Sequence, residues 1–226
     1  LFPYTTLFRS HKAWHFVCQA DGILVPGGFG SRGIEGMVAA AKYARENNVP
    51  YLGVCLGLQI AVIEFVRSVL GVSHSTSMEF DSNIEEKDAS VVYMPDVDQV
   101  KLGGTMRLGI HQTKFVQDSE WSNLRKLYGG ADAVYERHRH RYEVNPLLID
   151  DIEKRGLKFI GKDETGKRME MIELKDHKFF VGTQYHPEYL SKVLDPSRPF
   201  LGLVAAAAGI LEDVLSRDDL NYKGEF

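Results

Sequence analysis

The stretch Tyr51-Leu52-Gly53-Val54-Cys55-Leu56-Gly57-Leu58-Gln59 decides how this chain is read. Tyr51–Val54 is a short apolar run that suits a strand buried on both faces. Beyond it, Leu58, Ala61, Val62, Phe65, Val66 and Val69 fall on a helical stripe that Gly71 stops. The junction is G-x-C-x-G, Gly53 to Gly57. A strand that turns directly into a helix forces the residue at the elbow into a strained conformation, and glycine two positions away on either side leaves room for it. Cys55 then stands at a helix N-terminus, where the dipole and free N–H groups favour a thiolate. The N–H of Leu56 points at the place where an oxyanion would form. A lone cysteine is more often a core residue, so the elbow is what makes Cys55 the candidate nucleophile. Cys18 has no such setting and reads as incidental.

Toward the N-terminus, Gly22–Pro26 (GILVP) is a second short apolar run, closed by Pro26-Gly27-Gly28-Phe29-Gly30. Met37, Ala40, Ala41 and Ala44 then keep helical spacing over Gly36–Asn47, ended by Asn48-Val49-Pro50. Strand, helix, strand, helix with short links predicts an α/β fold with a doubly wound, mostly parallel sheet flanked by helices. Loops at the carboxyl ends of neighbouring parallel strands converge, so the Gly27–Gly30 loop is placed to offer a second oxyanion donor beside the elbow.

Toward the C-terminus, Gln184-Tyr185-His186-Pro187-Glu188 follows an apolar segment. In an extended segment, residues two apart share a face, and Pro187 holds the backbone extended between His186 and Glu188. This supplies a base and a carboxylate that fixes its tautomer. The order Cys55, His186, Glu188 differs from the nucleophile, acid, histidine order of an α/β-hydrolase.

Elsewhere, Ser73–Asp132 predicts short strands and glycine turns such as Leu102-Gly103-Gly104-Thr105. Asn145–Glu153 predicts a helix; Lys158–Gly161, Met169–Glu173 and Phe179–Gln184 predict strands with a turn at Thr165-Gly166; Leu201–Leu215 predicts a last helix. The net charge of −4 offers no footprint for nucleic acid or an acidic membrane, and no apolar run of membrane-spanning length occurs. Two cysteines are too few for a disulfide framework, so a reducing cytoplasm is the expected location. No Cys/His spacing suggests zinc, and no metal site is expected. Leu1–Ser10 (LFPYTTLFRS) matches what one reading frame of a sequencing adapter would encode and is left out of the fold reading as an artefact; the alternative is an apolar N-terminal strand.

The motifs PGGFG, GVCLGLQ and QYHPE, in that order, resemble the class I glutamine amidotransferases. The longer strings DGILVPGGFGSRG, PYLGVCLGLQIAVIEF, LGGTMRLG and ERHRHRYEVN are similar to the CTP synthase branch of that family, from about Ala20 to the C-terminus. The resemblance implies a flavodoxin-like glutaminase domain over residues 20–226 whose first βαβ unit is missing. It implies Cys55, His186 and Glu188 as a catalytic triad and Gly28 and Leu56 as the oxyanion hole. It implies Gly28, Leu56, Gly57, Leu58, Gln59, Glu79 and Arg141 as glutamine-binding residues. An arginine suits the α-carboxylate through its planar fork, and Glu79 suits the ammonium. His138 and His140 are read as structural or interdomain residues rather than ligands.

The implied partners are glutamine, an N-terminal synthetase domain that binds ATP, UTP and magnesium, a GTP effector acting near Arg32 or the Leu102–Gly109 loop, and further copies of the intact chain. No cofactor is implied for these residues themselves. Tyr185 stands where the family has Phe, and Met78 precedes Glu79 where it has Thr. An apolar strand at Gly22–Pro26 that lacks a neighbour would leave the fragment poorly stable or inactive. Another amidotransferase, a γ-glutamyl hydrolase or a silent binding module of the same fold remain the alternatives. Rescue by ammonia and labelling of Cys55 by a glutamine-mimicking electrophile discriminate them.

Overall fold

The computed structural model describes residues 3–94, 106–217 and 220. In chain order the strands of the main sheet are β1 (Ile23–Val25), β2 (Tyr51–Val54), β4 (Arg107–Phe115), β5 (Ala133–His140), β7 (Leu157–Asp163), β8 (Met169–Leu174) and β9 (Phe180–Thr183). Their spatial order is β1-β2-β9-β8-β7-β4-β5, and β3 (Val91–Tyr93) pairs separately with β6 (Tyr142–Val144).

The expectation of a mostly parallel sheet is corrected. Among the described residues, only the β1–β2 and β2–β9 ladders are parallel. The β4–β5, β4–β7, β7–β8 and β8–β9 ladders are antiparallel. The cause lies in the links. A parallel return needs a crossover of roughly a dozen residues or more. Glu164–Arg168 and Lys175–Phe179 are too short for that, so β7, β8 and β9 fold as successive hairpins.

Helices cover both faces. On one, α2 (Ile34–Asn47), α3 (Leu56–Phe65) and α5 (Ile149–Lys154) pack against Ile23, Val25, Tyr51, Phe159, Ile172 and Phe180. On the other, α4 (Asn123–Leu127), α6 (Arg198–Ala207) and α7 (Leu211–Leu215) pack against Leu52, Val54, Ile160, Met171 and Val181. Leu52 and Val181 are wholly buried, and each such side chain stabilises by about 1.5–3 kcal/mol relative to exposure. The stripe after Cys55 begins as α3 and widens into a π turn over Val66–Leu70. The helix expected at Asn145–Glu153 opens as a 3-10 turn, Pro146–Leu148, before α5.

The single terminal helix expected over Leu201–Leu215 is two helices. Gly209, at φ 73°, breaks it between α6 and α7, a conformation glycine adopts without the Cβ penalty. Helix α1 (Pro3–Cys18) begins within the Leu1–Ser10 stretch and runs beyond it. Its end is tied down by an edge-on Trp14–Tyr43 contact and by the Tyr43 hydroxyl, which donates to the Cys18 carbonyl at 3.0 Å. The turn expected at Leu102–Thr105 lies outside the described residues. No helix among the described residues is long and apolar enough to cross a membrane.

Candidate active site

Cys55 sits between β2 and α3 at φ 51° and ψ −99°, a strained conformation for a residue with a Cβ. The flanking glycines are required by contact. A Cβ on Gly57 would collide with the Val25 carbonyl, and one on Gly53 would collide with the Gly57 backbone. Strand, elbow and helix therefore pass within backbone contact of one another. The Cys55 N–H donates to the Thr183 carbonyl at 2.6 Å, and Tyr51 donates its buried hydroxyl to the Gly57 carbonyl at 2.8 Å.

His186 ends the segment after β9. Its Nδ1 lies 2.7 Å from Glu188 Oε1, so Nδ1 donates to that carboxylate and Nε2 is left to face the cysteine. The two side chains meet as the H-P-E spacing predicts, though by another route. Pro187–Tyr189 form a 3-10 turn in place of an extended segment. Proline's fixed φ suits the first position of such a turn as well as it suits a strand, and the sequence did not distinguish them.

Burial pulls the His186 pKa down, but hydrogen bonding and charge from Cys55 and Glu188 outweigh it and lift the imidazole to about 10. Burial pushes Glu188 up, and the hydrogen bond and charge from His186 more than reverse this, leaving its carboxyl below the usual range. Gly27 is the spacer of the site. A Cβ there would stand 2.6 Å from His186 Cε1 and 3.6 Å from Cys55 Cβ. The sequence reading picked Gly28 from this loop; Gly28 lies against Leu56, whose Cδ2 a Cβ would approach to 3.2 Å.

Three of the residues implied to hold glutamine, Gln59, Glu79 and Arg141, lie near Tyr142. Burial, then the nearby Glu79 carboxylate and Tyr93, raise the Tyr142 pKa, with Arg141 opposing. Gln59 donates to the Tyr142 carbonyl at 3.2 Å. Glu79 Oε1 accepts the Gly30 N–H at 2.8 Å, which ties the glycine loop to the segment before β3. The Leu58 side chain is wholly buried against β9, so only its backbone could meet a ligand.

Strand β5 was not recognised in the sequence and borders the site. The Arg137 carbonyl accepts the His186 N–H at 2.8 Å, and the Arg139 carbonyl lies 3.9 Å from Cys55 Sγ. The inward residues of β5 are Val134, Glu136, His138 and His140. Tyr185, the departure from the family's Phe, is wholly buried with its hydroxyl 3.1 Å from that of Tyr128, which donates to Glu136 at 2.9 Å.

His138, His140 and Glu170 are the trio among the described residues with metal-ligand chemistry. His138 Nδ1 lies 3.2 Å from Glu170 Oε2. His140 Nδ1 donates to the Tyr142 carbonyl at 3.0 Å, so its Nε2 accepts from His138 Nδ1 at 3.2 Å. The Arg107 guanidinium, 3.4 Å from Glu170 Oε1, supplies the cation of the cluster.

An α/β sheet with a cysteine at the strand–helix elbow, backed by a His–Glu pair, defines the class of site. The chain belongs to the class I glutamine amidotransferases, whose family model ("Glutamine amidotransferase class-I") matches residues 1–206. CTP synthase 1 of Saccharomyces cerevisiae is 62% identical over 207 residues, covering 92% of this chain and 36% of that protein. The CTP synthase of Schizosaccharomyces pombe is 64% identical over 205 residues, 91% of this chain and 34% of that protein. Among solved structures, the glutaminase domain of Trypanosoma brucei CTPS with bound acivicin matches at TM-score 0.81 and 41% identity, covering 88% of this chain and 75% of that one. Within the family, the chain is a glutaminase domain of the CTP synthase kind. It spans about a third of the length of the curated relatives it matches.

Proposed function

We propose that the chain hydrolyses glutamine through Cys55, His186 and Glu188 and passes the ammonia to a synthetase domain that aminates ATP-activated UTP to CTP. The observation that carries this reading is the strained Cys55 elbow set against the His186–Glu188 pair, with Gly27 packed beside both Cys55 and His186. The Cys55 thiolate attacks the side-chain carboxamide carbon. The oxyanion rests on the N–H groups of Gly28 and Leu56, each contributing about 3–4 kcal/mol by analogy with measured oxyanion donors. His186 gives its Nε2 proton to the leaving ammonia, then takes one from the water that hydrolyses the glutamyl thioester. Glu188 holds the imidazole in register throughout.

Gln59, Glu79 and Arg141 hold the amino-acid end of the substrate, supported by their convergence on Tyr142. ATP, UTP and magnesium belong to the synthetase domain in this reading, and no step above passes through them. Nucleotide control by GTP and assembly into oligomers are further parts of the proposal that rest on the family alone. Both cysteines are free, and a reactive thiol persists in a reducing compartment, so we place the chain in the cytoplasm. The deciding measurement is ammonia release from glutamine by Cys55→Ala. Loss of at least about a thousandfold is expected; release at the parent rate would remove the assignment.

A further inference from the structure

Gln184 opens the QYHPE motif, and the proposed mechanism gives it no part. We infer that Gln184 is a further catalytic residue, whose side-chain N–H holds the Cys55 sulfur as a thiolate before attack and again when it leaves the thioester. The inference rests on Cys55 being the nucleophile.

The geometry fixes which end of the Gln184 amide meets the sulfur. The Tyr142 carbonyl can only accept, so Gln59 must present its Nε2 there, at 3.2 Å. The second N–H of the same Nε2 reaches Gln184 Oε1 at 3.3 Å. Gln184 Oε1 is thereby turned toward Gln59, and its Nε2 is left 3.6 Å from Cys55 Sγ. Flipping the amide would set two NH₂ groups head to head where both side chains are almost fully buried, 1% and 3% exposed, and an unmatched buried donor costs about 1–3 kcal/mol. The backbone adds a third restraint, since the Gln184 N–H donates to the Glu170 carbonyl at 2.8 Å.

The sulfur thus has two neighbours of opposite kind. As a thiol it donates to the Arg139 carbonyl at 3.9 Å; as a thiolate it can only accept, and Gln184 offers the N–H. In deacylation, water attacks the thioester carbon and gives its proton to His186 Nε2. The C–S bond breaks, and its electron pair stays on sulfur, where the Gln184 N–H meets the returning charge.

The test is the pH dependence of Cys55 alkylation by iodoacetamide in the full chain. For Gln184→Met and Gln184→Glu, the rate profile should move toward alkaline pH by about one unit, roughly tenfold slower alkylation on the rising limb, with the larger displacement for Glu. A folded variant of either kind that keeps the parent profile would overturn the inference. If neither folds, the unmutated protein decides. Its Gln184 side-chain amide resonance in ¹⁵N NMR should shift with the midpoint of the thiol titration, and a resonance indifferent to that titration overturns the inference too. Neither readout uses glutamine, so a failure here is distinct from continued hydrolysis by Cys55→Ala.

Discussion

The N–H of Cys55 donates to the carbonyl of Thr183 over 2.6 Å, which locks the Cys55 elbow to the strand that delivers His186 three residues later. The relation between sulfur and imidazole is therefore set by the parallel β2–β9 ladder, whose register pairs Val54 with Thr183, and not by a loop. A site built on paired strands holds its spacing more closely than one built on mobile connections. The long stretch of chain between Cys55 and His186 adds the antiparallel strands without disturbing that register.

Gly57→Ala probes this closeness directly. Its new Cβ would collide with the Val25 carbonyl, and neither backbone can move without shifting the elbow. The expected cost is about 3 kcal/mol, the upper end for overpacking a well-filled site, with loss of most ammonia release. Thermal unfolding and a glutaminase assay on the same sample check it. A variant that melts and turns over like the parent would show that β1 and α3 are not held this tightly.

Glu188→Gln tests what keeps the imidazolium charged. The native His186 pKa of about 10 exceeds the unperturbed value of 6.5, so the charged pair stabilises the fold below about 6.5 and that contribution fades as pH rises through 10. In the proposed mechanism, protonation of the leaving ammonia needs the same imidazolium. Removing the Glu188 charge withdraws one of the two groups that raise His186. The alkaline limb of glutamine hydrolysis should then move to lower pH by at least about one unit, measurable in a pH–rate series. An alkaline limb unmoved in the variant would show that Cys55 alone sets the His186 charge.

Much of this site was legible because its residues lie in short motifs whose chemistry depends on spacing: the glycine pair around Cys55, the His–Pro–Glu triplet, and the glycine loop after β1. Strand β2 was read to the residue because both its faces are apolar. What stayed hidden was β5. Its burial alternates cleanly, but three of its four inward positions, Glu136, His138 and His140, are polar and only Val134 is apolar, so hydrophobic alternation gives little signal where the core is polar. The mixed sheet could have been found. The turn at Thr165-Gly166 was recognised, and so short a link permits only an antiparallel return. The turn at Pro187–Tyr189 could not, since proline at its first position suits both a strand and a 3-10 turn. Gln184 needed the structure, because its contact with the sulfur depends on Gln59 and a carbonyl on another strand.

The polar core around β5 makes a separate prediction about stability. Burial pushes the Glu170 carboxyl up to about 8, with Arg107 only partly opposing it, and depresses His140 to about 3. The unfolded chain ionises Glu170 from about 4.5 upward, whereas the native state keeps it protonated until about 8. Its contribution to stability is thus present below 4.5 and is lost as pH rises to 8. His140 acts in the opposite sense, destabilising the fold as pH falls from 6.5 toward 3, so its influence ends where that of Glu170 is still growing. Glu170→Gln loses the charge-dependent part and keeps the shape. Its melting temperature relative to the parent should therefore climb between pH 6.5 and 8, whatever its offset at pH 5 from the weakened contact with Arg107. Melting curves for both proteins across that range decide the matter. A difference that stays flat would mean Glu170 is already ionised in the native state, paired with Arg107 and a charged His138.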